Sequence, residues 1–361
     1  MGQTRSADDR LKLRSTDPMS TTVAHIRALL PTRVGRRGLA ASAVLLLALL
    51  VAAATPQLLG ARVAGAFDVL AGADAKLLWL AAAGFALSVA GSAGSWRCAI
   101  GLCGGRLAFP DACARYGAGS LVNTLVPARA GDAVRIGLFS RALPDGERLK
   151  TSGGAFAALG AARAVVLAVL VLAGAITGAV PRWPAVVALV LVGAAALCVV
   201  AARRSTTHLL GAFRAIAAGP AGAVRLLGWI ALATGGRLVA ATATGAALGL
   251  HRPLQAAIVI IPALDVAGLV PLTPGNVGFT SGAIAMALHA QGTSFTDALA
   301  AGIAFHAVET GVGLMVGVGA LLWLAPYPSP AARRVALLAG AASWAVGLAG
   351  AFSATVLVPL V

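Results

Sequence analysis

The stretch FTDALAAGIAFHAVETGVGLMVGVGALLWL, residues 295–324, decides the fold. Roughly 20 apolar residues cross the ~30 Å hydrocarbon core of a bilayer, and this run exceeds that length with Glu309 near its centre. Asp297 follows Ser294 at capping-box spacing, which marks a helix start. Trp323 sits at the other end, where an interfacial anchor belongs. A charge at the bilayer centre costs at least ~2.5 kcal/mol, so Glu309 needs a partner or a task. His306 and Glu309 share a helix face, three residues apart; a hydrogen-bonded structural pair is the plainer reading, a proton-responsive pair the sharper one. Gly313 and Gly317, four apart, read as close helix packing.

The rest of the chain repeats the pattern. Hydrophobic residues make up 59% of the 361 and charged ones 11%, so the expected class is an all-α integral membrane protein. Further spans are expected at about residues 39–58, 77–96, 155–180, 184–202, 226–250 and 335–358, giving about seven transmembrane helices. Trp79, Trp96, Trp183 and Trp323 fall at span ends. Residues 1–37 read as a basic cytosolic tail, disordered in part, and 38–361 as one polytopic domain. The 39–58 run is read as a retained span, since its basic leader is too long for a signal peptide.

A formal charge of +16 raises the question of nucleic acid, but the arginines collect at span ends and no aromatic/basic stripe accompanies them. They serve as orientation signals and anionic-lipid contacts. Arg36, Arg37, Arg97, Arg106, Arg115, Arg141, Arg148, Lys150, Arg203, Arg204, Arg214, Arg225, Arg333 and Arg334 all fall on one side if the N-terminus is cytoplasmic, which leaves the C-terminus external. Cys98, Cys103, Cys113 and Cys198 form no CxxC pair, and His25, His208, His251 and His289 form no cluster. Free buried thiols, no metal site and no cofactor are expected.

That orientation requires two other apolar segments not to cross. One runs from Phe109 to Val126, the other from Leu254 to Leu272 with a continuation to Ala290. Pro127 and Gly131 break the first; Pro271, Pro274, Gly275 and Gly278 break the second. Proline removes a helical donor and glycine allows reversals, and non-helical backbone at membrane depth persists only where protein or a water-filled cavity satisfies it. Both segments are therefore read as re-entrant helix pairs entering from opposite faces, as in transporters with inverted repeats. The alternative is two ordinary spans, which changes the topology by two crossings.

Arg163, Arg237, Asp265 and Glu309 lie deep within apolar stretches. Ion pairs that lock the spans together and a lipid-headgroup site stand side by side as explanations. Arg129 and Arg135 flank the first break, where two guanidinium groups beside a mobile backbone can grip phosphate bidentately; the simpler reading makes them positive-inside anchors. Asp132 is an N-cap or a partner for one of them.

Residues 123–135, NTLVPARAGDAVR, preceded by Trp96, Arg97 and Tyr116, resemble the first signature of the lysylphosphatidylglycerol synthase transmembrane-domain family, and residues 271–278, PLTPGNVG, are similar to its second. The resemblance covers essentially everything after the tail. It implies a flippase-like membrane domain acting on phospholipids or glycolipids. On that basis Asn123, Pro127, Arg129, Gly131, Asp132, Arg135, Arg163, Arg237, Asp265, Pro271, Thr273, Pro274, Gly275, Gly278, His306 and Glu309 are the candidate substrate-binding residues. The soluble aminoacyltransferase domain that makes lysyl-lipid in the family's best-known members is not expected, because the chain ends within an apolar run at Val361.

Two departures stand out. A glutamate common after the second signature is replaced near Ser281, beside Thr280, and an acid-rich cluster of the third span is reduced to Ala162, Arg163 and Val166. Asp265 and Glu309 can supply the missing charge from other segments.

The expected function is a flippase-like transporter or binder of an anionic phospholipid or polyprenyl-linked glycolipid in the cell membrane, without a catalytic step. Arg129 and Arg135 receive the headgroup, and the Pro274-Gly275 break forms the outer gate. Asp111, Asp132, Asp145 and Glu147 are scattered, and no nucleotide loop or Ser-His-Asp grouping stands out. The alternatives are a membrane enzyme acting on a lipid-linked sugar and a non-transporting partner of envelope-biosynthesis enzymes.

Overall fold

A computed structural model of the chain describes residues 61–338, apart from 127–128, 145, 179, 181, 205–209, 269–277, 328, 333 and 336. The described residues are helical and include no strand. In chain order the helices are α1 (Ala61–Ala71), α2 (Ala75–Leu102), α3 (Phe109–Leu125), α4 (Ala130–Ser140), α5 (Arg148–Ile176), α6 (Arg182–Arg204), α7 (Gly211–Ala217), α8 (Pro220–Ala247), α9 (Pro253–Ala267), α10 (Phe279–His289) and α11 (Phe295–Leu324).

Four of these, α2, α5, α8 and α11, are long and apolar enough to cross a membrane. The expected span at 295–324 matches α11 residue for residue, and the Ser294 hydroxyl accepts from the Asp297 amide as its capping spacing requires. Helices α2, α5 and α8 run beyond at least one end of their expected spans into polar flanks, because apolarity sets the membrane-buried part and not the helix end, while α5 and α8 stop at Ile176 and Ala247, short of the expected 180 and 250. The expected fourth span is a helix, but its apolar part is only Pro184–Leu197. The expected span at 39–58, and nearly all of that at 335–358, lie outside the described residues. The short helices α1 and α7 carry no span-length signal and were not expected.

Antiparallel α2 and α8 form the spine. A Cβ on Gly84 would fall 2.7 Å from the Gly236 carbonyl oxygen, and one on Gly91 would fall 2.5 Å from the Ala233 nitrogen. Such small-residue contacts let backbones approach where lipid offers no hydrophobic driving force. Helix α11 packs antiparallel on α3 through Gly317 against Leu121, and the Trp323 indole donates to Asp111 at 2.7 Å. Gly317 thus packs as its spacing suggested, whereas a Cβ on Gly313 would meet nothing within 4 Å.

Two cores lie at opposite ends of this spine. Ala81 and Phe85 of α2 join Ala240 and Ala243 of α8 with α9, α10 and α11 residues, including Phe305. At the other end Trp96 and Ile100 of α2 join Leu226 and Ile230 of α8 with residues of α3, α4, α5 and α7. Trp96 stacks on Phe139 at 4.5 Å. The two interrupted helix pairs, α3/α4 and α9/α10, therefore pack at opposite ends of α2/α8.

Candidate functional site

Between the two cores lies a cavity of about 590 Å³ whose wall collects charged and hydroxyl side chains from most of the bundle. Its construction starts at the first break. Proline at 127 disfavours helix for the residue before it, and Val126 is extended at φ −120°, ψ 131°. The chain resumes with Arg129 in the left-handed region at φ 54°, ψ 33°, opening α4. Asn123 closes the turn: its Oδ1 accepts the Gly131 amide at 2.7 Å, and its Nδ2 donates to Asp132 at 3.2 Å. Gly131 must be glycine, since a Cβ there would overlap the Gly119 carbonyl oxygen.

Arg135 projects from α4 back onto α3. It donates to Asp132 Oδ1 at 2.6 Å and to Ser120 Oγ at 2.7 Å, and its guanidinium lies 4.2 Å from the centre of the Tyr116 ring. Charge, hydroxyl and aromatic face together occupy this arginine within its own helix pair. Asp132 is thus a partner for Arg135 and not the N-cap, a position held by Arg129. The Arg129 side chain is in no ion pair among the described residues. It reaches toward the second break, where a Cβ on Gly268 would lie 3.3 Å from Arg129 Nη2.

Deeper in the cavity, Asp265 Oδ1 accepts from Arg163 at 2.6 Å and from Arg237 at 2.8 Å. One carboxylate oxygen thereby ties α5, α8 and α9 together. Arg237 also faces Glu309 of α11 at 3.8 Å, a separation for Coulomb attraction and not for a hydrogen bond. The His306–Glu309 hydrogen bond expected from their spacing is not formed: the closest approach is 3.9 Å. The i,i+3 spacing puts the two side chains on one face, and Glu309 stands at nearly equal distance from His306 and Arg237.

The cavity therefore unites Asn123, Arg129, Asp132, Arg135, Arg163, Arg237, Asp265, His306 and Glu309 from the expected set. Gly131 shapes the first turn. Gly278 opens α10 at φ 79°, a conformation suited to glycine. Pro127, Pro271, Thr273, Pro274 and Gly275 lie outside the described residues.

At the two departures, Asp265 from α9 takes up Arg163 where the local acids are missing. Ser281 donates to the Gly302 carbonyl at 3.1 Å, making a helix contact in place of a charge. Sequence reasoning missed the wall hydroxyls Ser88, Ser92, Ser120 and Thr280. Their signal was available in the i,i+4 spacing of Ser88 with Ser92 and of Tyr116 with Ser120 on otherwise apolar helices.

The model of the lysylphosphatidylglycerol synthase transmembrane region matches residues 38–317. The chain belongs to this family. Every cavity residue of this lysylphosphatidylglycerol synthase transmembrane-region protein lies inside the matched stretch. Membership and the apolar helices together make it a multi-pass membrane protein related to lipid handling. A search of curated proteins returns no match.

Proposed function

We propose that the protein binds an anionic phospholipid or polyprenyl-linked glycolipid in the central cavity and moves it between leaflets. The observation that carries this reading is a cavity rich in arginine, set between two interrupted helix pairs at opposite ends of one spine. Guanidinium groups suit phosphate, and broken helices around a midplane site are the architecture of alternating access.

In this reading α3/α4 and α9/α10 are re-entrant, entering from the cytoplasmic and outer faces respectively. About seven spans place the N-terminus inside and the C-terminus outside. The headgroup enters at Arg129, passes the Asp265 junction and leaves by the second break, with no covalent step. The acyl chains stay in the bilayer, because a space of about 590 Å³ holds a headgroup and not a whole lipid.

Reconstitution of the full chain with a short-chain fluorescent anionic lipid tests the transport claim. Accelerated loss of leaflet asymmetry over empty vesicles is expected, and a rate equal to that of empty vesicles overturns it. Cysteines introduced singly at 127 and 274, on a background without native cysteines, should label from opposite faces of the membrane. Labelling from one face would make the inverted arrangement wrong.

A further inference from the structure

We infer that the lipid is a phosphodiester carrying one negative charge and an uncharged headgroup, received by Arg129; this rests on the lipid-moving reading above. The charge balance of the wall comes first. Four arginines and three carboxylates line the cavity, so with His306 neutral one positive charge is left over.

The excess has an address. Arg135 is matched by Asp132, and Arg163 and Arg237 are matched by Asp265 with Glu309 nearby. Arg129 has no such partner among the described residues. Of the chain's acidic residues only Asp8, Asp9, Asp17 and Asp145 lie outside the described set, and neither 127–128 nor 269–277 contains one.

Arg129 is an exposed residue, so its charge needs no partner in the empty site; once a bound ligand excludes solvent there, excess charge of either sign is costly. A monoanion leaves none. A diphosphate adds two or more negative charges and leaves at least one unmatched. A zwitterion leaves the arginine's charge in place, and a headgroup with further amino groups adds to it. The rest of the wall fits an uncharged headgroup, since Ser88, Ser92 and Thr280 offer hydroxyls and no charge.

The backbone at Arg129 points the same way. It is the only non-glycine among the described residues with positive φ, a conformation that a residue bearing a Cβ adopts rarely. Glycine would relax it. Strain of this kind collects at ligand clamps and switch regions. Here it aims a planar fork at the point where the first break meets Gly268 of the second, and such a fork matches the two free oxygens of a phosphodiester.

The test uses the full chain in phosphatidylcholine nanodiscs containing equal amounts of phosphatidylglycerol, lysyl-phosphatidylglycerol and a polyprenyl diphosphate, with retained lipid read by native mass spectrometry. Wild type should retain phosphatidylglycerol above the other three lipids. Arg129→Gly should melt no lower than wild type yet lose about tenfold or more of that preference, the scale of a lost charge-assisted contact. Arg129→Lys should fall between them, and Arg129→Gln serves if the glycine variant folds poorly. Retention of the diphosphate or the lysyl-lipid above phosphatidylglycerol, or wild-type preference in folded Arg129→Gly and Arg129→Gln, overturns the inference and leaves the lipid-moving reading standing. Retention by wild type of no probe above phosphatidylcholine overturns both.

Discussion

The first interrupted pair, α3/α4, pairs its Arg135 within itself, whereas the second, α9/α10, draws the partners of Asp265 from the long helices. Arg135 finds Asp132, Ser120 and Tyr116 within the first pair. Asp265 of the second pair is held by Arg163 of α5 and Arg237 of α8. Similar broken helices thus have different mechanical relations to the bundle. The first leaves one arginine without an ion-pair partner among the described residues; the second is fastened by ions to α5 and α8. A fastening made of charge is also one that a charged ligand can compete for.

Removing that fastening should have the largest effect. Asp265→Asn leaves Arg163 and Arg237 facing each other at the junction of three helices, a loss of about 3 kcal/mol. Adding Arg237→Gln should recover much of it, since coupled partners are not additive. Thermal melting in detergent reads both. A single-variant loss under ~1 kcal/mol, the worth of an exposed pair, would show that charge does not hold the second pair.

A smaller loss, about 1–3 kcal/mol for overpacking, is expected from Gly131→Ala, which forces a Cβ against the Gly119 carbonyl. It should stay local: hydrogen exchange should quicken in α3 and α4 while α9 and α10 keep their protection. Equal loss of protection in both pairs would break the comparison. The smallest effect belongs to Glu309→Gln, below ~1 kcal/mol, because Glu309 stands 3.8 Å from Arg237 with 35% of its side chain exposed. A loss as large as that of Asp265→Asn would make Glu309 a second fastening.

Much of this was legible in the sequence for one physical reason: in lipid, a charge or a proline inside an apolar run is conspicuous. Arg163, Arg237, Asp265 and Glu309 stood out as charges in apolar stretches, and the structure brings all four to one cavity. The two breaks were visible as Pro and Gly, and the ends of α3 follow the expected segment to within a residue.

What escaped depends on tertiary closure. Arg129 and Arg135 flank the same break and looked equivalent. Only the folding of α4 onto α3 shows that Arg135 is occupied and that Arg129 has no ion pair among the described residues. The choice between Asp265 and Glu309 as the partner of Arg237 needs a third dimension as well, since helical spacing ranks neither. Helices α1 and α7 escaped because short helices packed on a bundle need no span-length apolar run.

The most direct test of the account measures lipid movement and folding together in the Arg237→Gln, Asp265→Asn double variant. It removes one charge of each sign, so it should recover much of the stability that Asp265→Asn alone loses. In the proposed reading the headgroup passes the Asp265 junction, so without Arg237 and Asp265 it should move fluorescent anionic lipid in reconstituted vesicles no faster than empty vesicles do. Wild-type movement in this well-folded variant would contradict the account and reduce the Arg237–Asp265 pair to a structural lock.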